Sequence, residues 1–232
     1  MKQSEEYATN TITLKIIIVG DKGTGKTSII KRFIENIFEN NSDATIVPTY
    51  SKKIIKSNST NFTINLWDIP GQDMKAVVTR TFAQDTQGII FNCEVNNINS
   101  RESLKNLKES LESLNDIESI PKILIENKCD LLGAEDSYNN GTKFLKESMK
   151  KLGWLNCFRT NALNRYNIDE ALHFLTNEII KDIKEEEIQD YNKTKLKNSN
   201  HSIHSERKKK AACCWYNSFP FNKIYLLAKI FL

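Results

Sequence analysis

Leu14-Lys-Ile-Ile-Ile-Val-Gly-Asp-Lys-Gly-Thr-Gly-Lys-Thr-Ser-Ile-Ile-Lys-Arg-Phe-Ile34 changes character twice within twenty-one residues. Leu14–Val19 is apolar and β-branched except for Lys15, the composition of a strand buried on both faces. Three glycines between Gly20 and Gly25 break the run. From Thr27 the apolar residues Ile29, Ile30, Phe33, Ile34 and Ile37 recur at the helical period, which predicts a helix over Thr27–Ile37. Strand, glycine loop and helix open a βαβ unit, and the chain goes on alternating in the same way. Strands are expected at Ser51–Lys56, Phe62–Trp67, Gly88–Cys93, Lys122–Ile125 and Asn156–Arg159, and helices at Ser100–Leu114, Gly141–Leu152 and Ile168–Ile188. The first two of these strands are separated only by Ser57-Asn-Ser-Thr-Asn61, a hairpin connection, so one strand runs antiparallel. The expected fold class is α/β, a mostly parallel sheet with helices on both faces.

Three short stretches carry chemistry. Gly20-Asp21-Lys22-Gly23-Thr24-Gly25-Lys26-Thr27 has the spacing of a phosphate-binding loop, a glycine, four residues, then Gly-Lys-Thr. Glycines let backbone amides close around an anion, and the following helix points its positive end at the same place. In that pattern Lys26 meets the outer phosphates and Thr27 ligates Mg²⁺. Asn127-Lys128-Cys129-Asp130 follows a strand; the Asp130 carboxylate can accept two hydrogen bonds from the edge of guanine, a donor pair that adenine lacks. Asn127 can reach the base and Lys128 can lie along its plane. Trp67-Asp68-Ile69-Pro70-Gly71-Gln72 ends another strand; Asp68 suits a water-mediated Mg²⁺ carboxylate, Gly71 a backbone donor to a terminal phosphate, and Gln72 the residue that orients an attacking water. Each stretch alone could be an ordinary turn after a strand. Together they specify a ligand.

Composition narrows the class. At 232 residues, 27% charged and 39% hydrophobic, the chain is one domain of ordinary size plus an appendage. Its longest apolar runs are too short to span a bilayer. Residues 1–10 lack the apolar core of a secretory signal. Five cysteines, two of them adjacent, are no disulfide framework and point to a reducing compartment. The net charge of +4 divides unevenly, with residues 1–192 carrying 24 basic against 28 acidic side chains and residues 193–232 nine against one. A mildly acidic domain argues against nucleic acid as its partner, and the basic tail points toward an anionic surface.

In this order the motifs resemble the Ras superfamily of small GTPases, and within it the Rab family. Thr27-Ser-Ile-Ile-Lys-Arg-Phe33, Leu66-Trp-Asp-Ile69 and Asn167-Ile-Asp-Glu-Ala171 resemble its branch serving lysosome-related organelles. The resemblance implies a P-loop NTPase G domain over residues 12–188 with a six-stranded, mostly parallel sheet containing one antiparallel strand. It implies a monomer that binds GTP and GDP with Mg²⁺, hydrolyses GTP slowly and works through an exchange factor, a GTPase-activating protein and effectors. The expected location is the cytosol and the cytoplasmic face of endomembranes. Nucleotide contacts would come from Asp21 through Ser28, Phe38, Thr45, Gly71, Asn127, Lys128, Asp130, Asn161 and Ala162, and metal contacts from Thr27, Thr45 and, through water, Asp68. Thr45 is preferred to Thr49 as the switch threonine because it lies nineteen residues after Lys26, the family spacing, with Phe38 at the position of the guanine-stacking aromatic. Several residues depart from the family pattern. Leu163 stands where a lysine is usual, Pro70 where an alanine is usual, and Asp73-Met74-Lys75 follows Gln72 in place of Glu-Arg-Phe. Lys22 replaces a smaller or uncharged residue, and its ammonium would alter hydrolysis if it reached the terminal phosphate.

Residues 1–11 are expected to be flexible and residues 189–214 to form a basic linker ending in Cys213-Cys214, which resembles a Rab prenylation site. Eighteen residues follow that pair, whereas such sites lie at or near a chain end. The expectation is that the functional chain ends at Cys214, with residues 215–232 a translation or gene-model artefact. An aromatic, acid-free interfacial anchor is the competing reading. Two other functions stay open at this point: a nucleotide-locked or nucleotide-weak scaffold acting by protein contact, and a P-loop kinase. His173, His201 and His204 suggest no catalytic or metal role, and Cys93 and Cys157 read as core thiols.

Overall fold

The structure is a computed structural model describing residues 11–40, 43–57, 60–71, 81–113, 117–133 and 143–183. Gln72, residues 73–75, the linker and the Cys213-Cys214 tail lie outside the described residues.

Six strands form one sheet: β1 (Thr11–Val19), β2 (Thr49–Ser57), β3 (Thr60–Asp68), β4 (Gly88–Glu94), β5 (Lys122–Asn127) and β6 (Asn156–Arg159). Their spatial order is β2-β3-β1-β4-β5-β6. Only β2 runs antiparallel, pairing with β3 from Thr49↔Asp68 to Ser57↔Thr60. Among the described residues four helices follow the alternation: α1 (Lys26–Glu35), α2 (Ile98–Glu112), α3 (Lys143–Leu152) and α4 (Ile168–Asp182), with a short 3₁₀ turn at Cys129–Leu131.

The central strands read as they do because both faces are covered. Every residue of β5 is buried, as are the first six of β4. Ile12, Leu14, Ile16 and Ile18 of β1 pack in one cluster with Ile29, Ile30 and Phe33 of α1 and Leu172, Leu175 and Ile179 of α4. Ile17, Ile89 and Phe91, on the alternate positions, are equally inaccessible. Each such side chain contributes roughly 1.5–3 kcal/mol by leaving water. Edge strand β2 carries lysines instead, a composition that discourages a further strand from pairing there.

Two helix ends differ from the periodicity. Helix α1 stops at Glu35, two residues before Ile37, because Asn36 adopts the left-handed conformation (φ 61°) that asparagine tolerates at a C-cap. Helix α4 stops at Asp182, six residues before Ile188; Ile183 turns extended and its amide bonds back to Ile180. Residues 184–188, the rest of the expected helix, lie outside the described residues.

Among the described residues no helix is long and apolar enough to cross a membrane. β1 has β3 on one side and β4 on the other. The crevice where the connections diverge therefore opens at the carboxyl end of β1, the place where doubly wound sheets bind ligands.

Candidate functional site

A cleft of about 760 Å³ occupies that position. Among the residues lining it are Lys22, Gly23, Gly25, Lys26, Thr27 and Ser28 of the glycine loop and α1, Phe38 and Thr45 of the segment after α1, and Gly71 after β3. Asn127 at the end of β5 and Lys128 and Asp130 after it, with Asn161, Ala162 and Leu163 after β6, line it as well. Loops separated by up to 141 positions in the chain thus share one cavity.

The glycine loop is fitted to its surroundings at backbone level. Gly20 has φ 146° and Gly25 φ 88°, values that L side chains avoid, and a Cβ at Gly20 would strike the Asn92 carbonyl. Thr24, fully buried, does not line the cleft; it props the loop from beneath. Its hydroxyl donates to the Asp21 carbonyl (2.9 Å) and accepts from Asn92 Nδ2 (2.9 Å), while its own carbonyl accepts from Asn92 Nδ2 and Asn127 Nδ2, both at 3.0 Å. Helix α1 starts without a side-chain cap and without a first-turn acid, leaving its amide dipoles available to an anion.

Lys26 is 5% exposed and donates to the carbonyls of Gly20 (2.9 Å) and Asp21 (2.8 Å). Burial pulls its pKa down to about 8, against the opposing pull of Asp68 and Asp21. Lys22 is exposed, and its amide lies so close to Gly71 that a Cβ there would collide with it.

Thr27, Thr45 and Asp68 converge. Thr27 Oγ1 donates to Asp68 Oδ2 at 2.6 Å and lies 2.8 Å from Thr45 Oγ1, which is itself 3.2 Å from the same carboxylate oxygen. Asp68 is buried, and its Oδ1 has no hydrogen-bond partner. Thr49 instead opens β2, opposite Asp68 in the ladder. Among the described residues no group of three His, Cys, Asp or Glu side chains could hold a metal. Two hydroxyls and one carboxylate with a spare oxygen nevertheless fit Mg²⁺, a hard ion that takes few protein ligands and completes its octahedron with water and phosphate.

The base-side loops are held by protein alone. Thr160 Oγ1 donates to Asn127 Oδ1 (3.0 Å), the Cys129 amide donates to the Thr160 carbonyl (3.1 Å), and the Thr160 amide to the Glu126 carbonyl (2.9 Å). Lys128, left-handed at φ 62°, is tied to Glu94 at 2.8 Å, and Asp130 is exposed at the mouth. Beneath them the Glu126 carboxylate, wholly buried, is gripped by Arg159 (2.8 and 3.0 Å) and Arg101 (2.5 Å). That triad, with Asn92, Thr160 and Arg32, was missed in reading the sequence. A polar residue inside an otherwise apolar strand, as in Gly88-Ile-Ile-Phe-Asn-Cys93 and Lys122-Ile-Leu-Ile-Glu-Asn127, was the available signal. The three cysteines among the described residues are buried thiols: Cys129 is pushed up to about 11 and Cys157 to about 12, chiefly by burial, and Cys93 higher still. His173 is exposed, edge-on to Phe33, far from any role in the cleft's lining.

Comparison with known proteins gives the same picture. The Ras family model matches residues 15–181. Ras-related protein Rab-32A of Dictyostelium discoideum is 33% identical over 183 residues, covering 77% of this chain and 83% of its own length. Ras-related protein Rab-32 of Sus scrofa is 31% identical over 176 residues (72% and 74%), and that of Homo sapiens 29% over 204 residues (86% and 88%).

Proposed function

This chain belongs to the Ras family, in its Rab branch, and on that footing we propose that it is a membrane-trafficking switch that binds GTP and GDP with Mg²⁺ and slowly hydrolyses GTP. The observation that carries the reading is the meeting of Thr27, Thr45 and Asp68, whose unpartnered oxygen leaves room in the donor set for a hard cation beside the glycine loop. Bound Mg²⁺ would supply charge neutralisation for the phosphates.

The protein's own groups do the rest. Lys26 and the first amides of α1 bind the phosphate charge, and Asp130 and Asn127 select guanine. Thr45 and Gly71 are drawn toward the terminal phosphate, which couples its presence to the order of their segments. Gln72 orients the water that attacks it. No arginine lines the cleft among the described residues, so intrinsic turnover should be slow. For Ras itself it is on the order of 10⁻⁴ per second, and an activating protein that supplies an arginine accelerates it by about 10⁵-fold. The basic run Arg207–Lys210 and a prenylated Cys213-Cys214 would bring the switch to the cytoplasmic face of endomembranes, where exchange factors and effectors act.

Fluorescent guanine-nucleotide titration with single-turnover phosphate release tests this. Expected are binding well below micromolar with Mg²⁺, a shift toward xanthine nucleotides in Asp130→Asn, and slow release that Gln72→Leu abolishes. Tight binding with no turnover would favour a scaffold that works by protein contact. Indifference to guanine nucleotide at micromolar levels would overturn the assignment.

A further inference from the structure

Arg32 has no part in the chemistry above, yet it touches both edges of the base end of the cleft. It sits half-buried in the last turn of α1. Its guanidinium reaches three backbone carbonyls in three directions: Nε donates to Ala162 (2.8 Å), Nη2 to Leu163 (2.9 Å) and Nη1 to Asn36 (2.8 Å). Nη1 also lies 3.3 Å from Asn36 Oδ1, and the guanidinium carbon is 5.8 Å from the centroid of the Phe38 ring. Ala162, Leu163 and Phe38 all line the cleft. One side chain therefore joins the loop after β6 to the segment that leaves α1, across about 130 positions of sequence.

We propose that Arg32 is a positioning residue that clasps the base, holding the Asn161–Leu163 loop and Phe38 together and so setting how long guanine nucleotide stays bound; this rests on the guanine-nucleotide reading. Leu163 has no polar tip with which the loop could close on the ligand; the loop is held within itself by the Leu163 amide on Asn161 Oδ1, and Arg32 ties its carbonyls to α1. A guanidinium suits the task, since its donors diverge in one plane from three separate nitrogens. A lysine ammonium carries its three donors on one nitrogen, so it cannot span carbonyls that Arg32 reaches from three separate nitrogens. Because the clasp grips the base end, it acts alike on diphosphate and triphosphate. It acts on release, since binding closes contacts that the clasp then keeps.

The test uses the full chain loaded with fluorescent GDP, or with a non-hydrolysable GTP analogue, in Mg²⁺. Arg32→Met keeps the stem and loses the donors. Dissociation of both nucleotides should accelerate by the same factor, roughly tenfold or more for lost charge-assisted bonds, with association little changed. Phe38→Leu should accelerate release too, and the double variant should be less than multiplicative, because both changes open the same clasp. Arg32→Lys should recover only part of the retention. Unchanged dissociation in Arg32→Met, whatever its melting temperature, would assign the residue to the end of α1 alone and overturn the proposal. An effect confined to the triphosphate, or full multiplicativity with Phe38→Leu, would overturn it as well. Failure of the unaltered chain to bind either nucleotide is a different result, which removes the guanine reading itself and the clasp with it.

Discussion

On the base side of the cleft, Asn127 uses both ends of its amide within the protein, giving to the Thr24 carbonyl and taking from Thr160. On the phosphate side, Asp68 shares one oxygen between two hydroxyls and has no partner for the other. Lys26 shows the same incompleteness, holding a buried charge whose bonds among the described residues go to two backbone carbonyls. The base end is thus assembled before any ligand arrives, and the phosphate end is electrostatically incomplete until one does. Selectivity benefits from the first arrangement, since a prebuilt pocket need not be ordered at binding. Switching benefits from the second, since free energy released at the incomplete end can favour one conformation over another.

Four changes should break or sharpen that contrast. The largest effect belongs to the prebuilt side: Glu126→Ala takes away the buried carboxylate that two guanidiniums share, one of them fully buried, and should cost about 3–5 kcal/mol in denaturant unfolding. Replacing Glu126 and Arg159 together by leucine should recover much of that loss. Next comes the incomplete side, where Asp68→Asn keeps the shape and removes the charge. Folding stability should barely change, whereas the Mg²⁺ concentration needed to retain nucleotide should rise about tenfold or more, read by release at graded Mg²⁺.

Third is pH. Lys26, lowered from 10.5 to about 8, is protonated below that pH in the nucleotide-free protein and loses its charge above it. Anion binding needs the charge, so affinity should be level up to about pH 8 and then fall by at most about tenfold per unit, with proton uptake in calorimetry. The unfolded chain binds the extra proton between about 8 and 10.5, so the nucleotide-free fold should gain stability as pH rises through that window. The smallest effect returns to the base side: Thr160→Val removes one hydrogen bond to Asn127 and should cost about 1 kcal/mol of guanine affinity. If Thr160→Val instead exceeded Asp68→Asn, the prebuilt end would be supplying the binding energy, and the contrast would fail.

The sequence exposes these two ends unequally. Gly20–Thr27 and Asn127–Asp130 are contiguous, and their spacing alone announces anion and guanine chemistry, so the loops that line the cleft are legible. The strand alternation likewise foretells the sheet and its one antiparallel member, because periodicity is a local property. What holds the base end together is not local. Arg101, Glu126 and Arg159 are 25 and 33 positions apart, Asn92 meets Thr24 across 68, and no composition or period in any one stretch encodes such a meeting. The two shortened helix ends are a smaller omission of the same kind, since apolar period says where a helix can run and the cap decides where it stops.

Thr24 gathers these threads. It lines no part of the cleft, yet asparagines from the ends of two adjacent strands, β4 and β5, hang from its carbonyl, one of them from its hydroxyl as well. The height of the glycine loop above the sheet is therefore referenced to the same strand that presents Asn127, the residue proposed to meet guanine. Any twist of β5 that moves one recognition element carries the other with it, so the distance between the two ends of the ligand is gauged by a threonine hidden from both.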